Sequence, residues 1–172
     1  MRTWKISLIV VVFVSLLGTV PVFGQQFGSS SFVSLSGMPH DVLYDNIRGQ
    51  AYISNRSLNR IEIININTLS VTGSIATGQA PTGMSISPDG NTMLVTLRDD
   101  NAMAVVDLNT LAQTKTIALP DFSGDQSQRP LRVDYASDGT VYYRHNTPSN
   151  PFGKVHTLDL NTEISRSHFI TS

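Results

Sequence analysis

Asn67-Thr68-Leu69 returns as Asn109-Thr110-Leu111, and Pro39 returns as Pro81, both after 42 residues. Between these markers the two stretches run the same course. A half-apolar run follows each proline, Val42-Leu43-Tyr44 and then Met84-Ser85-Ile86. A turn leads to Ala51-Tyr52-Ile53 and to Met93-Leu94-Val95, and a polar loop leads to Ile61–Ile66 and Met103–Leu108. The Asn-Thr turn then opens a fourth run. A unit this short cannot bury its own apolar face, so it must stack on its neighbours.

A third unit starts at Pro130. It holds Val133-Asp134-Tyr135, Ser137-Asp138-Gly139, Val141-Tyr142-Tyr143, Val155–Leu160 and Asn161-Thr162. It is longer by insertions at residues 121–128 and around residues 146–153. Each unit offers four short runs rich in β-branched and aromatic residues, split by Gly, Pro, Asn and Asp, which read as strands. Asp-Gly supplies the positive φ of a tight turn, and Asn-Thr turns the chain through a side-chain hydrogen bond. No stretch has a helical apolar period of useful length. Four antiparallel strands per 42 residues predict an all-β propeller of four-stranded blades.

The best copy reads Pro81, Ser87-Pro88-Asp89-Gly90, Leu94-Val95-Thr96, Ala104-Val105-Val106-Asp107 and Asn109-Thr110. This pattern resembles the YVTN family of β-propellers over residues 39–171. The first copy departs from it, with residues 45–49 in place of Ser-Pro-Asp-Gly and Asn65 in place of the aspartate. The third lacks the turn proline. No Trp-Asp pair marks a WD40 array. The expected organisation is blade 1 at residues 39–80, blade 2 with its insertion at 81–129 and blade 3 at 130–172. Residues 25–38 would hold one strand, at 32–35, which is the outer strand of a closing blade. Closed propellers need about four to eight blades, so three blades predict an incomplete ring. It would be completed by missing C-terminal blades or by a homodimer.

Residues 1–24 are a separate element. A basic start with Arg2 and Lys5, an apolar run from Ile6 to Leu17 and small residues before Gln25 form the three-part layout of a secretory signal peptide. The chain is therefore expected outside the cytoplasm, secreted or periplasmic, touching a membrane only if that segment stays uncleaved. The net charge of the 172 residues is −1, with 12 Lys+Arg against 13 Asp+Glu. A nucleic-acid binder would carry a basic stripe, so no nucleic-acid partner is expected. With no cysteine, disulfides, thiolate metal sites and cysteine nucleophiles are excluded.

Strand alternation sends the loops between strands two and three, and between blades, to one face. Both insertions and the acidic turn Asp99-Asp100-Asn101 lie there, whereas the turns on the other face are short and uniform. Variable loops on a rigid scaffold point to binding. The candidates on this face are Asp99, Asp100, Asn101, Asp121, Asp125 and His145. A second set follows the leading prolines, where inner strands begin beside the channel: His40, Asp41, Thr82 and Arg132. The aspartates are candidate oxygen ligands for calcium, but no fixed-spacing calcium loop exists, so no cofactor is expected. Histidines 145, 156 and 168 read as surface residues. Asn55-Arg56-Ser57 fits the N-glycosylation acceptor pattern.

No Gly-x-Ser-x-Gly elbow, phosphate-binding glycine loop or His-Glu-x-x-His is present. The expected function is a non-catalytic module binding a protein, glycan or small ligand through the variable-loop face, which the YVTN resemblance also implies. Two alternatives stand beside it. One is a lactonase-like or other hydrolase-like enzyme using His40, Asp41 and Arg132 in the channel. The other is an inactive N-terminal fragment of a longer propeller.

Overall fold

The computed structural model describes residues 32–122, 128–147 and 150–168. Twelve strands form three four-stranded antiparallel sheets in sequence order. Blade 1 contains β1 (Pro39–Asp45), β2 (Gln50–Asn55), β3 (Arg60–Asn65) and β4 (Ser70–Ala76). Blade 2 contains β5 (Pro81–Ile86), β6 (Thr92–Leu97), β7 (Ala102–Asp107) and β8 (Ala112–Ala118). Blade 3 contains β9 (Arg129–Tyr135), β10 (Val141–Thr147), β11 (Asn150–Asp159) and β12 (Ile164–His168). No helix occurs among the described residues, so none is long and apolar enough to cross a membrane.

The repeat has a hydrogen-bonding cause. Asp107 Oδ1 accepts from the amides of Asn109 and Thr110, and Asp159 Oδ1 accepts from Asn161 and Thr162. Asn65 Oδ1 makes the same pair of bonds to Asn67 and Thr68. An amide oxygen accepts as a carboxylate oxygen does, so the first copy loses nothing by carrying asparagine. The Thr162 and Asn161 amides also hold the Asp159 carboxyl below the usual carboxylate range.

Each of these turns closes on a residue with positive φ: Leu69 at 50°, Leu111 at 54° and Glu163 at 58°. That region costs an ordinary L-residue about 1–2 kcal/mol, while asparagine visits it readily. Leu111 is 37% exposed and has limited packing to lose. Leu111→Asn is therefore expected to stabilise the fold by about 0.5–1 kcal/mol in urea denaturation.

The blades bury their facing sides. Tyr52, Ile61, Ile63 and Ile75 of blade 1 pack against Met84, Met93, Val95 and Ala104 of blade 2. Leu94, Met103 and Ile117 on the other side of blade 2 pack against Val133, Val141, Tyr143 and Leu158. Near the axis β5 lies between β1 and β9. On the uniform-turn face Arg48 joins blades 1 and 2: its guanidinium donates to Asp45 Oδ2, the Gly90 carbonyl and Asn109 Oδ1, at 3.0, 2.8 and 3.0 Å.

Two expectations about the loops change. Residues 32–35 form no strand, because a strand exists only as a ladder and no neighbour pairs with them among the described residues. The 146–153 insertion is not an open loop, because β10 and β11 extend into it and pair as far as Thr147 with Asn150. Residues 1–31, with the signal-peptide reading, lie outside the described residues. The three sheets do not close a ring. Blade 1 therefore shows Val42 and Tyr44 on its free side, the latter 60% exposed.

Candidate axial site

Asp41, Gly83 and Arg132 occupy the same step of β1, β5 and β9. Asp41 is paired with Ser54, and Arg132 with Arg144, across the adjacent strand. In blade 1 the Asp41 amide donates to Ser54 Oγ at 3.0 Å, and in blade 2 the Gly83 amide donates to Thr96 Oγ1 at 2.7 Å. Both bonds sit at a register shift that follows the leading proline. The hydroxyl satisfies an amide that the shifted ladder leaves over.

The Asp41 carboxylate draws the three blades together. Its Oδ1 accepts from the Val42 amide at 3.0 Å, and its Oδ2 accepts from the Met84 amide of blade 2 at 3.2 Å. Arg132 Nη1 of blade 3 stands 3.9 Å from Oδ1. Arg132 is 63% exposed, so this contact is a loose, solvent-screened pair.

His40 lies beside this couple. Its pKa is lowered first by partial burial and then by the positive charges of Arg56, Arg132 and Arg98, against the pull of Asp41. Arg56 and Arg98 are 42 residues apart and hold matched positions. Their amides donate to the carbonyls of Met38 and Ala80 at 2.9 and 3.0 Å. Arg98 is paired with Asp99 at 2.6 Å. Arg56 makes no side-chain ion pair among the described residues. No hydrogen bond joins the His40 and Asp41 side chains; the Asp41 oxygens accept from the Val42 and Met84 amides.

Other expected site residues fall elsewhere. Thr82 is 0% exposed; its hydroxyl lies 2.8 Å from Thr96 Oγ1 and donates to the Pro130 carbonyl of blade 3. It locks blades together and does not line a channel. Asp100 Oδ2 accepts from the Gln79 amide at 2.7 Å, shaping the interblade turn. Asp99 and Asp121 are exposed, and Asp125 lies outside the described residues. Among the described residues no three His, Cys, Asp or Glu side chains converge as a metal site would require. Asn55 is fully buried; its Nδ2 donates to the Ser36 carbonyl and Glu62 Oε1, so the glycosylation expectation fails for lack of a free amide.

His145 is the largest correction. It is 2% exposed, and its Nε2 lies 3.2 Å from Asn101 Oδ1. Asn101 also donates from Nδ2 to the Leu119 carbonyl. It therefore braces the interior and is not a loop-tip ligand. His156 is also fully buried. Phe122 stacks on His156 at 4.4 Å, and Tyr143, His145 and His156 pack with centroids 5.1 Å apart. Burial, the neighbouring His156 and the opposing pull of Asp121 set the His145 pKa at about 4. Its imidazole is neutral at neutral pH.

Comparison with solved structures matches this arrangement to propellers. The Myceliophteria thermophila Cps50 (Swd1) beta-propeller domain is 10% identical with a TM-score of 0.58, over 81% of this chain and 41% of that one. The WD40 beta-propeller domain of Doa1 is 12% identical with a TM-score of 0.56, over 72% and 37%. The chain is built of β-propeller blades. Kuenenia stuttgartiensis hydrazine synthase shares 22% identity with a TM-score of 0.66, over 87% of this chain and 40% of that one. The chain thus spans about two fifths of the length of these three structures. No protein-family model matches it, and the comparison with curated proteins returns no match.

Proposed function

We propose that this chain is an exported propeller module of the YVTN type that binds an anionic ligand at its axial mouth, on the variable-loop face. The observation that carries this reading is the charge around His40. Arg56, Arg98 and Arg132 all act on it against the pull of Asp41, and Arg56 has no ion-pair partner among the described residues. Guanidinium groups present planar, charge-assisted donors, and a mouth lined by them suits a carboxylate or an oxyanion. Binding is favoured over hydrolysis because His40 has no carboxylate hydrogen-bonded to it to orient its ring. The signal-peptide layout of residues 1–24 supports export, and the repeat pattern supports the YVTN assignment. The open ring is completed by further blades or by a second copy; the mass in solution distinguishes the two.

Calorimetric titration with inorganic sulfate tests the site. The expected result is saturable binding that weakens as sodium chloride is raised and falls about tenfold in Arg56→Gln, the loss of one charge-assisted contact. Equal heats for wild type and Arg56→Gln would contradict the proposal.

A further inference from the structure

The two junctions between successive blades differ on the uniform-turn face. At the first, Arg48 of the β1–β2 turn crosses to blade 2 and donates to the Gly90 carbonyl and to Asn109 Oδ1. Gly90 is buried, and Ile47 Cδ1 occupies the space that a Cβ on it would need. At the second junction blade 3 repeats both acceptors. Gly139 closes its turn as Gly90 does, each amide donating to the carbonyl three residues back, at 3.0 and 2.8 Å. Asn161 follows Asp159 as Asn109 follows Asp107. Blade 2, however, has no counterpart of Arg48. The residue 42 positions after Arg48 is Gly90 itself, and the one 42 after Ile47 is Asp89. Gly139 is accordingly exposed, and nothing stands within 4 Å of the place its Cβ would take. Lys115, the cation of β8, is paired with Glu163.

A hollow of about 380 Å³ opens here between blades 2 and 3, lined by Pro88, Asp89, Tyr135, Asp138, Gly139 and Leu160. Hydrogen bonds from Ser87 and Asn91 hold Asp89 below the usual carboxylate range, and those from Thr140 do the same for Asp138, so both are ionised at neutral pH. Neither makes an ion pair among the described residues. Burial, and then the charge of Asp89, push the Tyr135 hydroxyl up to about 12, so its ring stays neutral.

We infer that this interblade hollow receives an arginine side chain of a partner polypeptide, whose guanidinium takes toward Gly139 and Asn161 the place that Arg48 takes toward Gly90 and Asn109. Two aspartates without a cation complement its charge, and its planar fork can serve a carboxylate and a carbonyl together. Pro88, Tyr135 and Leu160 offer apolar surface to its methylene stem. The hollow is open to solvent, so a free guanidinium ion would bury little of its surface there. An arginine carried on a polypeptide adds contacts of its neighbours with the short turns around the hollow. The inference does not rest on anion binding at the mouth, which lies on the opposite face.

Amide NMR of the full chain tests the inference. The probes are the peptide acetyl-Ala-Arg-Ala-amide, its lysine and citrulline counterparts, and guanidinium chloride, at ionic strength held constant with sodium chloride. The expected result is a saturable shift of the Gly139 amide and the Tyr135 ring with the arginine peptide. Binding should be about tenfold weaker for the lysine peptide, which lacks the fork, and absent for the neutral citrulline peptide. Guanidinium chloride should not saturate these shifts over the range in which the arginine peptide does. Asp138→Asn keeps an acceptor for the Thr140 amide, as Asn65 does in blade 1, and should weaken the arginine peptide about tenfold. Asp134→Asn removes the same charge from the other face of β9 and should leave binding unchanged. The absence of a saturable shift with the arginine peptide would overturn the inference. So would equal binding of the citrulline peptide or of the guanidinium ion, or equal effects of Asp138→Asn and Asp134→Asn.

Discussion

Gly83→Ala is expected to destabilise the chain by about 3 kcal/mol, although it adds one methyl group to a strand. A Cβ at this position would lie 2.6 Å from the Leu131 carbonyl oxygen and 2.7 Å from the Arg132 Cα. Both are backbone atoms of β9, so no side-chain rotation can relieve the overlap, and blades 2 and 3 must separate. Separation would also break the bond that the Thr82 hydroxyl donates to the Pro130 carbonyl across the junction. Gly73 provides the control, since its nearest contact would be Ile63 Cδ1 at 3.8 Å. Gly73→Ala should change stability by less than about 0.5 kcal/mol, in keeping with ordinary partly exposed positions. Urea denaturation of the two variants separates close approach of backbones from the general dislike of alanine for glycine sites.

Acid should loosen the junction of blades 2 and 3 well before carboxylates protonate. His145 has a folded pKa of about 4 against the usual 6.5. Its neutral form is the one the fold favours, so its contribution is complete above pH 6.5 and is lost as pH falls from 6.5 toward 4. A shift of this size corresponds to roughly 3 kcal/mol at most. The groups around His145 are Asn101 from the β6–β7 turn, Asp121 from the β8–β9 connection, Tyr143 on its own strand, and His156 and the cross-strand Lys154 on β11. His145 stands at the position that Leu97 holds in blade 2. His145→Leu should therefore remove much of the stability difference between pH 7 and pH 5 in urea denaturation. An unchanged pH dependence would contradict this account.

The fold was legible because its turns are chemical. Asn65, Asp107 and Asp159 each fold the chain with one side-chain oxygen, and that requirement imprints the 42-residue period on the sequence. Alternation of apolar residues then assigns the faces. The site was less legible, because interblade chemistry is spatial. Thr82 looks like a channel residue until Pro130 and Thr96 are seen to enclose its hydroxyl. His145 and His156 look like surface residues until Phe122 is folded over them. Aligning blades 2 and 3 by strand register would have shown both histidines at apolar positions, which is the available signal. Arg56 and Arg98 were missed although they sit in the same phase of the repeat. Their common phase places both at the start of loops on one face.

The most direct measurement is the titration of His40 by proton NMR, with and without inorganic sulfate, at ionic strength held constant with sodium chloride. Partial burial, helped by three guanidinium charges against the upward pull of Asp41, predicts a midpoint below 6.5 in the free protein. Sulfate bound among Arg56, Arg98 and Arg132 would offset those charges and move the midpoint upward. Arg56→Gln should raise the free-protein midpoint and reduce the sulfate response. A His40 midpoint that ignores sulfate and Arg56→Gln alike would contradict an anion site at the mouth of this propeller.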